Sequence, residues 1–377
     1  MKKVITIVDS FKGTMSSSQI NQIIKEAVLS FYTDAEVISV AVADGGEGTV
    51  EAFLAPMGGK KVAVEVTGPY FEKMESYYGI TDDKTAIIEM ASCCGLPLVI
   101  GRENPGETTT FGLGGMILDA AKKGCKKIIV GLGGSATNDG GVGAAAAVGF
   151  KFIDRENKSF IPVGKTLNQI DKIESGAVNP LLKDVEIITM SDVENPLYGL
   201  QGAAYIFAPQ KGADSQMVKE LDDNLRKLAL LIKRDLKIDI SSLKGGGAAG
   251  GCGSAMVAFF NSKLEMGIEV LLDTIEFDSL IKDADFIFTG EGKIDTQSLR
   301  GKVVSGVAKR AKRNNIPLIA LVGDIGDDIQ EFYDMGVSAI FSINRVAKEY
   351  KEVANRAPSD LKLTLDNLMR FLQRLGF

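Results

Sequence analysis

Histidine does not occur once in the 377 residues. Any general base must therefore be Asp, Glu, Lys, Tyr or Cys, and His-ligated metal sites and Ser-His triads are excluded. Cysteine is scarce: Cys93, Cys94, Cys125 and Cys252 make no CxxC pair and no spacing suited to zinc. That usage suits a reducing cytosol, with the thiols buried as small apolar side chains. Positive charge is not in excess either. Lys plus Arg is 43 against 49 for Asp plus Glu, a net charge of -6, so the basic balance of a DNA or RNA binder is missing and no nucleic-acid partner is expected. No apolar run reaches the length of about 18 residues that a membrane span needs. The opening MKKVITIVDS meets a charge after five residues dominated by Val and Ile, too short for a signal-peptide core. These absences point to a cytoplasmic protein that acts on small molecules.

What is present begins with an apolar fraction of 45%, ample core for the roughly two or three domains that this length suggests. Short apolar runs alternate with amphipathic stretches. Ser16-Ser-Ser-Gln19 reads as a capping box, and Ile20, Ile23, Ile24, Ala27, Val28 and Phe31 follow at helical spacing. A second helix is expected over 214–233, with Asp214 as N-cap and Met217, Leu221, Leu225, Leu228 and Ile232 on one face. A last helix is expected from about Ser359, carrying Leu361, Leu365, Leu368, Leu372 and Leu375. Strands separated by helices of this length imply parallel sheets and an α/β class.

The apolar runs end in acids and glycines. Val4 to Val8 stops at Asp9, Val37 to Val42 near Asp44, Ile87 and Ile88 at Glu89, and Glu186 to Met190 near Asp192; Phe286 to Phe288 stops at Gly290 and Glu291, and Leu318 to Val322 at Gly323 and Asp324. In open α/β sheets ligands bind beyond the carboxyl ends of strands, so these endings are candidate site residues. Asp and Gly also terminate strands in ordinary turns; it is the repetition that favours a site.

Two glycine-rich stretches stand out. LGGSATNDGG at 132–141 follows the apolar run Ile128, Ile129, Val130, and GGGAAGGCG at 245–253 enters the apolar SAMVAFF. The second suits either a flexible linker or a loop whose backbone N–H groups approach phosphate, as Gly250 and Gly251 would allow. Gly164-Lys165-Thr166 resembles the end of a P-loop, but position 159 is Ser rather than the required Gly. Gly131, Gly133 and Ala136 satisfy G-x-G-x-x-A, with Asp154 about 20 residues on, which keeps an NAD(P)-dependent dehydrogenase open as an alternative. Against it, TNDGGVG holds the backbone irregular where the Rossmann helix should start.

The remaining motifs share carboxylates flanked by glycine with lysine nearby: Asp9-Ser10-Phe-Lys12-Gly13, Asp44-Gly45-Gly46-Glu47-Gly48, Asn138-Asp139-Gly-Gly, Asp192-x-x-Asn195-Pro196 and Gly290-Glu291-Gly292-Lys293-x-Asp295. Such groups bring backbone N–H groups to phosphate oxygens, hold Mg²⁺ through carboxylates and neutralise charge with lysine. These are the parts of a phosphoryl-transfer site. Lys12 and Lys293 each follow a strand-end acid and are placed to meet carboxylate or phosphate oxygens. Asp192 and then Asp295 are the first candidates for the base, and Asp192 and Glu291 for metal.

Nine stretches then carry a resemblance: DSFKGTMSS (9–17), VADGGEGT (42–49), EVTGP (65–69), IEMAS (88–92), GLGGSATNDGGVG (131–143), SDVENPLYG (191–199), GAAYIFAPQKGA (202–213), GAAGGCG (247–253) and TGEGKIDTQSLRGKV (289–303). In order and with ordinary gaps, from residue 1 to about 345, they closely resemble the bacterial glycerate kinase family of glycolate and glucarate breakdown. Lys293 and Ser191 stand where Arg and Cys are expected, and Val304 where Pro is usual. The resemblance implies an ATP- and Mg²⁺-dependent kinase of D-glycerate, with 2-phosphoglycerate as product and 3-phosphoglycerate as the alternative. It also implies two α/β domains, the central one (67–284) inserted into the other (1–66 plus 285–377), with the site in the cleft between them. On that footing Gly133, Gly134, Ser135, Thr137 and Asn138 would cradle substrate or phosphate and Asp139 would touch metal or a substrate hydroxyl. Whether the protein is a monomer or a homodimer stays open.

Overall fold

The computed structural model describes residues 1–11, 13–43, 45–295, 302–346 and 349–377. The chain folds into two compact units, Met1–Ala43 with Ile268–Phe377, and Asp44–Gly267. The second is thus an insertion in the first.

The discontinuous unit is built on a five-stranded parallel sheet in the order Val337–Ser342, Leu318–Ile325, Phe286–Ile294, Lys3–Val8, Glu36–Val40. Lys3–Val8 (KVITIV) is buried from Val4 onward, as suits a β-branched strand covered on both faces. Helix Ser17–Phe31 starts as its sequence dictates: the Ser16 hydroxyl accepts the Gln19 N–H (3.3 Å) and the Gln19 side chain accepts the Ser16 N–H (2.9 Å). Its Ile20, Ile24 and Val28 pack with Leu361, Leu365 and Met369 of the last helix in one apolar core. That last helix, Ala357–Arg374, begins two residues before Ser359 because Pro358 takes the first turn, where a missing N–H costs nothing.

The inserted unit carries a six-stranded mixed sheet in the order Lys263–Glu265, Glu186–Met190, Lys127–Gly131, Thr85–Glu89, Lys73–Ile80, Lys60–Thr67. The first four run parallel and the last two antiparallel. Only about five residues (68–72) separate Lys60–Thr67 from Lys73–Ile80, enough for a hairpin and too few for the crossover that a parallel pair needs. A small antiparallel sheet centres on Lys151–Ile153. Helix Ser215–Leu236 starts at Asp214, whose side chain accepts the Met217 N–H (2.8 Å), and buries Leu221, Leu225, Leu228 and Ile232 in a core distinct from that of the other unit.

The junctions lie at 43/44 and 267/268 rather than at 66/67 and 284/285. Lys60–Thr67 is zipped to Lys73–Ile80 along its length, which draws residues 45–66 into the inserted unit. In the helix Gly267–Thr274 that begins at the other junction, Glu269 and Asp273 are bonded to Arg310 (3.0 and 2.6 Å), which draws 268–284 into the discontinuous unit.

Candidate active site

In the inserted unit the parallel strands Lys127–Gly131 and Glu186–Met190 lie side by side, and beyond their carboxyl ends opens a pocket of about 210 Å³ lined by Gly133, Gly134, Ser135, Ser191, Asp192 and Lys211, with Leu96, Leu132 and Phe207 as apolar wall. This is where α/β sheets hold ligands. The loop after Lys127–Gly131 lies against Gly45 and Gly46, backbone on backbone. The Gly133 N–H donates to the Gly45 carbonyl (3.0 Å), and a Cβ on Gly133 would sit 2.6 Å from the Gly46 N and Cα. Glycine is needed here for the contact between two chain segments, a use prior to any contact with ligand. Glu47 is exposed and Gly45 and Gly46 are buried.

Lys211 forms the floor of the charge distribution. It ends the single turn Pro209–Lys211, closed by Gly212 at φ 96°. The residue is 3% exposed, and its ammonium donates to Ser135 Oγ (2.8 Å) and to the Thr137 carbonyl (2.7 Å). Burial pushes its pKa down to about 7, only partly offset by the negative charge of Asp139 and by Cys252. Sequence reasoning missed this residue; the signal was there, since Lys211 is the one charged residue in GAAYIFAPQKGA. Asp192 is exposed, and one carboxylate oxygen accepts the Gly267 N–H (2.7 Å).

Of the three side chains expected to cradle substrate, Ser135 lines the pocket, while Thr137 and Asn138 are fully buried beneath it. The cause is the second glycine-rich stretch. It is not a linker but the start of helix Ala248–Phe260, kinked by positive φ at Ala249, Gly250 and Gly251. The Gly140 N–H donates to the Gly250 carbonyl (3.0 Å), and a Cβ on Gly250 would fall 2.1 Å from the Thr137 carbonyl oxygen. Gly250 and Gly251 thus cover Thr137–Gly140, and Ala248 and Ala249 reach the pocket.

Asp139 also departs from expectation. Fully buried, its carboxylate accepts the Thr110 N–H and hydroxyl (2.8 Å each) and the N–H groups of Gly141 (3.0 Å) and Gly143 (3.2 Å). Those bonds tie the starts of helices Phe111–Lys122 and Val142–Ala147 together, which gives Asp139 a framework role. Burial raises its pKa against the lowering effect of these bonds. Glu89 is comparable, accepting the Val50 N–H (2.7 Å) at the start of helix Thr49–Met57. Asn195 donates to the Gln201 carbonyl (2.8 Å) and shapes its own loop.

The other expected site residues belong to the discontinuous unit. Asp9 and Ser10 follow strand Lys3–Val8, and the Asp9 N–H donates to the Gly290 carbonyl (2.9 Å). Gly290, Glu291 and Lys293 do not end a strand but lie within Phe286–Ile294. Buried Glu291 is 3.6 Å from the Lys302 ammonium, and Lys293 is 3.7 Å from Asp295. A second pocket, about 340 Å³, is lined by Phe11, Thr14, Gly292, Gly323, Asp324 and Asn344 among others. Lys12 and Asp44 lie outside the described residues.

Among the described residues no group of three or more His, Cys, Asp or Glu side chains is arranged to hold a metal ion. An exposed carboxylate such as Asp192, in the pocket of the inserted unit, is the kind of single protein donor that Mg²⁺ takes together with substrate phosphates. The dehydrogenase alternative finds no support: helix Val142–Ala147 begins well after Ala136, and Asp154 accepts the N–H groups of Glu156 and Lys158 (2.9 Å each) in an exposed turn.

A family model described as the glycerate kinase family matches residues 4–373. The chain is 40% identical over 368 residues to a glycerate kinase of Bacillus cereus, covering 97% of each, and 43% identical over 343 residues to a glycerate 2-kinase of Escherichia coli, covering 90% of each. A crystal structure from Salmonella typhimurium LT2, assigned as glycerate kinase 2, superposes with a TM-score of 0.86 at 37% identity, covering 100% of this chain and 99% of that one.

Proposed function

The chain belongs to the glycerate kinase family, a family of phosphotransferases, and from that premise we propose that it is a cytosolic enzyme that transfers the γ-phosphoryl group of ATP, with Mg²⁺, to the 2-hydroxyl of D-glycerate. The observation that carries this reading is the pocket beyond Gly131 and Met190, where Gly133, Gly134 and Ser135, a buried lysine and the exposed Asp192 converge in about 210 Å³. That volume is below the roughly 300–1,000 Å³ of drug-sized ligand sites and suits a three-carbon acid.

Asp192 orients the hydroxyl and accepts its proton. Because phosphoryl transfer proceeds through a loose transition state, the base acts late and a carboxylate suffices, which is how a chain without histidine can do this chemistry. Mg²⁺ would supply neutralisation of phosphate charge when bound with the nucleotide, with Glu291, or Asp192 if Asp295 is the base, as the protein carboxylate to hold it. Lys293, and Lys12 in the same way, supply positive charge for phosphate oxygens. Asp295 is the second candidate for the base.

A coupled assay of ADP formation tests the reading. Activity is expected only when ATP, Mg²⁺ and D-glycerate are all present, and not with lactate or glycolate in place of glycerate. An absence of glycerate-dependent ADP formation at any Mg²⁺ concentration would overturn it.

A further inference from the structure

We propose that Lys211 recognises the carboxylate of the acceptor substrate, its ammonium and the Ser135 hydroxyl forming the anion-binding end of a hydroxy-acid site in the pocket of the inserted unit. The inference rests on the functional reading above and deepens it.

An ammonium has three N–H donors, and the hydrogen bonds of Lys211 to Ser135 Oγ and the Thr137 carbonyl account for two of them. Both partners are uncharged. The carboxylate that acts on Lys211 electrostatically, Asp139, has its oxygens bonded to Thr110, Gly141 and Gly143. A buried charge without an ion pair is costly, and an anion entering from solvent would supply the missing partner and take the third N–H. The position allows this, since Lys211 lines a pocket while being almost wholly withdrawn from water itself. A charge-assisted bond is strongest in such surroundings.

The anion should be a carboxylate rather than a polyphosphate. One lysine balances one negative charge, whereas a transferring triphosphate needs a metal and several donors. The same pocket presents Asp192, an acceptor suited to a hydroxyl, so a molecule with a carboxylate at one end and hydroxyls at the other meets a complementary donor and acceptor.

The test compares D-glycerate with glyceramide, in which a neutral amide replaces the carboxylate, the amide being measured as a competitor of glycerate. Lys211→Met keeps the stem and removes the charge. It is expected to raise the KM for D-glycerate roughly 10- to 100-fold, the worth of one hydrogen bond to a charged group, to leave the KM for ATP nearly unchanged, and to leave the inhibition constant of glyceramide nearly unchanged. A lysine that merely braces the loop would shift acid and amide alike. An unchanged ratio of the two constants in a folded Lys211→Met protein would therefore overturn the assignment.

Should that variant fail to fold, Ser135→Ala with Lys211 in place is expected to weaken glycerate several-fold relative to the amide, and no change in that ratio would equally overturn it. Failure of wild-type protein to turn over or bind D-glycerate would strike the functional reading and this inference together. Failure of the ratio to move in the variants, with wild-type turnover intact, would strike this inference alone.

Discussion

At Lys211, burial strips water from an ammonium whose partners are a hydroxyl and a carbonyl, and its pKa falls to about 7. The sign of the consequences follows. Between about 7 and the ordinary lysine value the unfolded chain binds more protons than the folded one, so this group's contribution to stability rises with pH across that window and is lost as pH falls through 7. The stability of the wild type relative to Lys211→Met is thus expected to grow between pH 6 and pH 9 in denaturant titrations, with Asp139 and Cys252 the ionisable neighbours that act on it. If Lys211 holds the carboxylate, kcat/KM for D-glycerate should also decline above pH 7, toward about tenfold per unit, and that limb should vanish in Lys211→Met. For Asp192→Asn the expected loss in kcat is roughly 10²- to 10⁴-fold with nucleotide binding nearly intact; rescue by excess Mg²⁺ would mark a metal ligand instead, and full activity would move the base to Asp295. Asp139→Asn should behave differently. An amide cannot accept from all four donors, so the variant should lose about 1–3 kcal/mol of stability while the folded fraction keeps its KM for ATP; its KM for D-glycerate should rise near neutral pH, because without the Asp139 charge the Lys211 pKa falls further. Full stability with lost activity would return Asp139 to the site.

Helices were the most legible elements, because their signals are local. The Ser16–Gln19 box and the Asp214 cap stand in the structure as their side chains require. Glycine-rich segments were legible as special but not as to purpose, since a glycine's reason lies in a distant piece of chain. Gly290 and Glu291 read as a strand end, yet Gly290 lets Phe286–Ile294 run on beside its neighbour: a Cβ there would lie 1.9 Å from the Leu321 carbonyl oxygen. Thr137 and Asn138 read as ligand donors, and only the fold shows Gly250 lying over them. The contrast can be measured. Gly250→Ala combines φ +68° with a 2.1 Å clash and should destabilise by more than the roughly 1 kcal/mol of a strained φ alone. Gly115→Ala, within helix Phe111–Lys122 with open space at its Cβ, should stabilise by about 0.5–1 kcal/mol. Equal effects in chemical denaturation would refute this account of the glycines.

For the molecule as a whole, the class was readable, because apolar runs alternating with amphipathic stretches imply α/β units; an inserted central unit was implied by the family resemblance alone. The junctions were not, because neither falls in a polar linker. One lies just before Gly45 and Gly46, which belong to the inserted unit by their contact with Gly131 and Gly133, and the other at Gly267, whose N–H is held by Asp192. Among the described residues no helix is long and apolar enough to cross a membrane. Each unit has its own apolar core and its own pocket at the carboxyl ends of parallel strands. The measurement that bears most directly on the proposed role is phosphorus NMR of the protein incubated with ATP, Mg²⁺ and D-glycerate. The expected result is loss of the γ-phosphate signal with matching growth of 2-phosphoglycerate, and no change when Mg²⁺ or glycerate is left out. Formation of 3-phosphoglycerate alone would contradict the assigned hydroxyl, and an unaltered ATP spectrum would contradict the kinase reading itself.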